Sequence, residues 1–207
     1  MTRKILVVSP HTDDGELGCG GSIAKFIEEG DRVEYVALSC CEKSVPPPYP
    51  ADILSREVKA ATHILGIDQP ILMDFEVREF PRFRQEILDA LIGLRKEIRP
   101  DFVFAPSRYD THQDHKTTIE ETMRAFKNCT ILGYEQPWNN ISFNTLAFIP
   151  LTKKHLKKKI DALHCYETQM ERAYLNTDFI RGLAVTRGTQ IEVPFAEAFE
   201  VIKWVIS

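Results

Sequence analysis

Two short apolar runs in this chain each end on a cluster of histidine and aspartate. Ile5-Leu6-Val7-Val8 leads into Ser9-Pro10-His11-Thr12-Asp13-Asp14-Gly15-Glu16, and Phe102-Val103-Phe104-Ala105 leads, after a turn, into His112-Gln113-Asp114-His115. Runs of this length bounded by polar residues read as buried strands. Gly18, Gly20 and Gly21 follow the first cluster and open a helical pattern. An open α/β sheet places its sites outside the carboxyl ends of its strands. Two equivalent strand ends carrying His and Asp therefore predict one metal centre assembled from both.

The rest of the sequence repeats the same alternation. Strands are predicted at residues 4–8, 33–38, 71–75, 102–105, 130–134, 145–151 and 199–206, and helices at 20–29, 53–65, 83–98, 117–126, 153–169 and 180–186. Strand and helix in turn imply βαβ units and a Rossmann-like, mostly parallel sheet with helices on both faces. The 207 residues make one α/β domain, 1–207, long enough to bury a core on each side of the sheet. The segment Val45-Pro46-Pro47-Pro48-Tyr49-Pro50 is too proline-rich for helix or sheet and falls at the carboxyl edge as rim or spacer.

Composition removes several function classes. A net charge of −4 argues against a nucleic-acid footprint, and the one basic run, at 153–159, reads as the solvated face of an amphipathic helix. No apolar stretch reaches the roughly 18 residues of a transmembrane span, and the N-terminus has no signal-peptide pattern. Five cysteines, an odd number without a CxxC pair, fit a reducing cytoplasm. A homo-oligomer is compatible with all of this.

A hydrolytic zinc site needs about three protein ligands and an open position. His11 and Asp14, three apart on a tight turn, reach one ion, and His115 supplies a third ligand. Zinc lowers the pKa of bound water toward about 7. Asp13, beside the ligands but not needed for coordination, is then the general base. His112 faces it as oxyanion stabiliser or proton donor, and Asp114 is expected to orient His112. A lone histidine at a strand end is ordinarily structural, and Asp-Asp often caps a helix; two such clusters in matching places favour the metal.

These residues resemble the PIG-L/LmbE-like zinc deacetylases. The first cluster is similar to their His-Pro-Asp-Asp-x-Glu-x-Gly-x-Gly-Gly signature, the second to their His-x-Asp-His motif. Ser55-Arg56-Glu57, Ile180-Arg181-Gly182-Leu183-Ala184 and Ala196-Glu197-Ala198-Phe199 look like further family blocks, so the resemblance covers nearly the whole chain. Thr12 stands where the family has proline and leaves every metal and acid–base position intact. The resemblance implies zinc, or another divalent metal such as Fe²⁺, on His11, Asp14 and His115, with Asp13 as base and His112 as acid or oxyanion stabiliser. It also implies removal of acetyl from an N-acetylglucosamine unit of a small glycoconjugate, and a substrate-binding role for Arg56 and for Glu16 of the signature.

Tyr49 and Trp138 are candidates for stacking on a sugar face, since aromatics offer an apolar plane with a polar handle. Two other functions remain open. A zinc amidase for another acyl group would use the same centre. A nucleotide-binding module would use the glycines, although Gly18-x-Gly20-Gly21 is not GxGxxG.

Overall fold

The computed structural model describes residues 2–206. Strand β1 (Lys4–Ser9) is an interior strand, third in a seven-stranded sheet. It pairs in parallel with β2 (Arg32–Ala37) on one side and β4 (Phe102–Pro106) on the other. β3 (Ile71–Leu72) extends the sheet beyond β2, and β5 (Thr130–Tyr134) extends it beyond β4, both in parallel. β7 (Phe195–Lys203) then runs antiparallel to β5, and β6 (Ala147–Leu151) closes that edge antiparallel to β7. The sheet is thus parallel through β5 and antiparallel at one margin, as the sequence rhythm predicts.

Side chains alternate across a strand, and β1 shows why its whole run is apolar. Ile5 and Val7 face a core built with α1 (Asp14–Glu28), α2 (Ile53–Leu65), α5 (Lys153–Leu163) and α6 (Thr177–Thr189). Leu6 and Val8 face the opposite core, built with α3 (Arg84–Ile98) and α4 (Gln113–Ala125). With helices on both faces, no position in a central strand can be polar without burying that polarity. Each leucine-sized side chain so buried contributes roughly 1.5–3 kcal/mol.

The chain leaves β1 for β2 on one side and reaches β4 on the other, so the strand order reverses at β1. The crevice at this switch point opens between the loop after β1 and the loop after β4. Both His/Asp clusters hang there.

Several boundaries differ from expectation: β3 is only Ile71–Leu72, β6 starts at Ala147, α6 spans Thr177–Thr189 and β7 spans Phe195–Lys203, and three further differences bear on the site and the tail. The first helix starts at Asp14, six residues before the glycines suggest, and breaks at Cys19 (φ −144°). Its second half opens with Gly21 and Ser22, whose backbone N–H groups donate to Glu197 of β7 at 3.0 and 2.7 Å. The glycines do mark a helix start, but one inside an existing helix. They are also packing positions: a Cβ on Gly18 would lie 2.3 Å from the Tyr134 ring. Helix α4 likewise begins at Gln113, so Asp114 and His115 sit in its first turn. In the tail, the expected helix 153–169 stops at Leu163, and Glu167–Gln169 forms a separate short turn.

Candidate metal centre

Ser9 ends β1, and Asp13 holds the N-cap position of α1, so the loop between them is only a few residues long. Within it the His11 backbone N–H donates to Asp14 Oδ2 at 2.9 Å, folding the histidine over the helix start. Tyr166 and Tyr35 donate their hydroxyls toward the Thr12 carbonyl at 2.7 and 3.0 Å. Those two hydroxyls brace the loop at the position where the resembling family has proline.

The second cluster is placed by a cap. His112 is the N-cap of α4, and its ring Nδ1 accepts the Asp114 backbone N–H at 3.2 Å. His115, one turn into the helix, then points back across the crevice.

Three atoms converge. His11 Nδ1 lies 3.1 Å from Asp14 Oδ2, His115 Nε2 lies 3.2 Å from the same oxygen, and the two ring nitrogens are 3.3 Å apart. A tetrahedral zinc with ligand bonds near 2.0–2.1 Å requires ligand–ligand edges of about 3.3 Å. Each triangle member is held from behind. His11 Nε2 meets Asp114 Oδ2 at 2.9 Å, and His115 Nδ1 meets Asp110 Oδ2 at 2.8 Å. Gln136 Nε2 donates to Asp14 Oδ1 at 2.7 Å. With the outer nitrogens donating to carboxylates, the inner lone pairs all face one point.

The packed charges also pull the pKa values of these groups in opposite directions. Burial opposes an imidazolium at His115, yet Asp14 and Asp110 overcome it and raise its pKa to about 10. Asp14, although desolvated, is held well below the usual carboxylate range by His115 and His11. Asp13 goes the other way: burial and the adjacent Asp14 charge push it to about 6. Burial and the two neighbouring imidazoles lower His112 to about 4, which keeps it neutral.

The imidazoles of His11, His112 and His115 together also present nitrogens within 4.8 Å of one another, a second donor set for a metal. The set with Asp14 forms the tighter triangle, and His112 Nδ1 is already occupied by its cap. The cleft above the cluster has a volume of ≈ 170 Å³ and is lined by Asp13, His112, Arg78, Gln169, Arg172 and Tyr174, among others.

Asp114, Glu16, Arg56, Trp138 and Tyr49 stand in surroundings that the sequence does not reveal. Asp114 orients His11 rather than His112: its side chain faces His11 and accepts the backbone N–H groups of Arg78 and Phe80 at 2.6 and 3.3 Å. Glu16 is wholly buried and hydrogen-bonded with the Tyr35 and Tyr166 hydroxyls. Arg56 is exposed and turned onto Asp52 of its own helix turn, Nε at 2.9 Å. Its neighbour Glu57 has the structural part, accepting Thr168 N–H and Oγ at 3.1 and 2.7 Å and so tying segment 167–175 to α2. Trp138 stacks on Tyr174, ring centroids 4.5 Å apart, backing the cleft wall from outside; Tyr49, half-exposed, is not part of the lining.

Asp110 and Gln136 escaped the sequence reading. Asp110 sits five residues before His115 in what reads as a turn. The only signal for it is the general requirement that a ligating histidine have a carboxylate or carbonyl on its other nitrogen.

The fold and this cluster define an α/β enzyme with a carboxylate–imidazole centre at the sheet's switch point. The chain belongs to the PIG-L family: residues 6–126 match its profile, described as GlcNAc-PI de-N-acetylase. It is a deacetylase, a hydrolase acting on amide bonds. It is 29% identical over 169 residues to the uncharacterized deacetylase YaiS of Escherichia coli, covering 78% of this chain and 89% of that one. It is 27% identical over 194 residues to the probable N-acetyl-alpha-D-glucosaminyl L-malate deacetylase 2 of Bacillus anthracis, covering 81% of each. Among solved structures, the conserved protein TT1542 of Thermus thermophilus superposes with a TM-score of 0.84 at 24% identity, covering 100% of this chain and 97% of that one. Among the described residues, no helix is long and apolar enough to cross a membrane.

Proposed function

We propose that the chain removes the N-acetyl group from an N-acetylglucosamine unit of a small glycoconjugate, using one divalent metal, zinc or Fe²⁺, held by His11, Asp14 and His115. The observation that carries this reading is the triangle of lone-pair atoms at 3.1–3.3 Å, with Asp13 in the cleft beside it. The donor set of two imidazoles and one carboxylate fits zinc and leaves a position open. The family's description and the amino-sugar relative support the sugar.

Zinc bound there would supply a Lewis acid and lower the pKa of a water molecule toward about 7. Asp13 takes the proton from the attacking water; its desolvated carboxylate is a stronger base than an exposed aspartate. His112 acts from the opposite side. Because its Nδ1 accepts a backbone N–H, the neutral ring carries its proton on Nε2 and offers a hydrogen-bond donor. That favours His112 as the stabiliser of the oxyanion developing on the acetyl carbonyl. The proton held by Asp13 then passes to the leaving amine. Asp114 and Asp110 keep His11 and His115 in the tautomers the triangle requires.

A panel of N-acetylglucosaminides and of acyl-amino acids, assayed for release of free amine by the zinc-loaded protein, tests the substrate class. Turnover of the glycosides supports the reading. Turnover confined to acyl-amino acids replaces it with the general amidase.

A further inference from the structure

Resting on that reading, we infer that the group attached to the amino sugar is anionic, and that Arg78 and Arg172 are the residues that select it. Both line the cleft above the metal cluster. They reach it from different parts of the chain, Arg78 from the loop after β3 and Arg172 from the segment before α6.

Neither guanidinium has a hydrogen-bond or ion-pair partner among the described residues. The carboxylates nearest Arg78 in the chain are engaged elsewhere, Glu76 by Lys43 at 2.6 Å and Glu79 by Arg82 at 2.9 Å. The one carboxylate in the cleft lining is Asp13, which the reaction uses. The cleft therefore presents two uncommitted cations. Both side chains are exposed, so a neutral aglycone would leave them to water, whereas a carboxylate or phosphate would meet them with charge-assisted, bidentate geometry.

The backbone at each position is held firmly. Arg78 has φ +70°, a left-handed conformation that is unfavourable for a residue with a Cβ. Its N–H donates to Asp114 Oδ2 at 2.6 Å, the same oxygen that meets His11. The Arg78 backbone is thereby fixed relative to the metal cluster, in a conformation glycine would adopt without strain, while its side chain is exposed. On the other side, Glu57 grips Thr168, and the Arg172 N–H donates to the Gln169 carbonyl at 2.8 Å. Remote binding energy collected by fixed groups is what orients a scissile amide.

The test compares three N-acetylglucosaminides, with a neutral, a carboxylate-bearing and a phosphate-bearing aglycone, on the zinc-loaded protein. Both kcat/KM and equilibrium affinity by calorimetry are measured, so binding is read even without turnover. We expect at least one anionic glycoside to be preferred about tenfold over the neutral one. Arg78→Gln and Arg172→Gln should each collapse that preference ratio, chiefly through KM, and Arg78→Lys should restore part of it. The more favoured anion identifies the source. Equal affinity for neutral and anionic glycosides, or a preference unchanged in both glutamine variants, overturns the inference while leaving the deacetylase reading intact. Failure of every glycoside to turn over, with acyl-amino acids hydrolysed, removes the reading beneath it as well.

Discussion

Asp13 and Asp14 are adjacent, both buried, and pushed in opposite directions. Asp14 faces two imidazoles and stays ionised; Asp13 faces Asp14 and has its pKa lifted to about 6. Neighbouring carboxylates whose environments separate them in this way take different roles. Asp13→Asn keeps the shape, cannot accept a proton, and lies outside the ligand triangle. We expect kcat to fall at least ~10²-fold with metal content unchanged; a near-normal rate would move the base elsewhere. Because the ionised form is the active one, wild-type kcat/KM falls as pH drops through the Asp13 pKa, and a bound cation moves that limb below 6.

Helix α1 is two helical pieces joined at Cys19, and Glu197 supplies what the second piece lacks. Its carboxylate takes the N–H groups of Gly21 and Ser22 and pairs with Lys159 Nζ at 2.6 Å, all with little solvent access. Glu197→Ala strands a buried ammonium and leaves two helix N–H groups unpaired. Loss of one partner of a buried pair costs about 3–5 kcal/mol, so urea unfolding should show a loss of that size; a change under about 1 kcal/mol would mean water replaces the carboxylate. This junction also shows what the sequence can and cannot reveal. Apolar runs and stop residues placed α2 and β5 at their observed bounds, because burial on both faces writes itself into every residue. The start of α1 was hidden, since a glycine-rich stretch looks like an opening whether or not a helix precedes it. His11, Asp13, Asp14, His112 and His115 were legible because local spacing brings each cluster together. What lies behind them was not: Asp110, Gln136 and Arg78 arrive through tertiary geometry. The burial of Glu16 and the turn of Arg56 onto Asp52 are hidden for the same reason, as nothing local says which way a side chain points.

Across the whole molecule, one buried acid ties fold stability to pH. Glu16 is fully enclosed, and desolvation outweighs the Tyr35 and Tyr166 hydroxyls to raise its pKa to about 8. The folded state thus holds this proton more tightly than the unfolded chain. Its contribution is full below the unfolded value near 4.5 and is lost as pH rises toward 8. Glu16→Gln, neutral at every pH, should flatten the decline of Tm over that window; parallel curves for the two proteins would show that the folded carboxyl titrates normally. The whole fold, with β1 and β4 side by side at the switch point, brings His11, Asp14 and His115 together, and the account depends on that triangle being the metal site. Metal content of the purified protein and of single alanine variants, measured by elemental analysis, tests it most directly. The account predicts about one divalent ion per chain, lost in Asp14→Ala and His115→Ala and retained in His112→Ala. Loss in His112→Ala with retention in Asp14→Ala would contradict it and assign the ion to the three histidines instead.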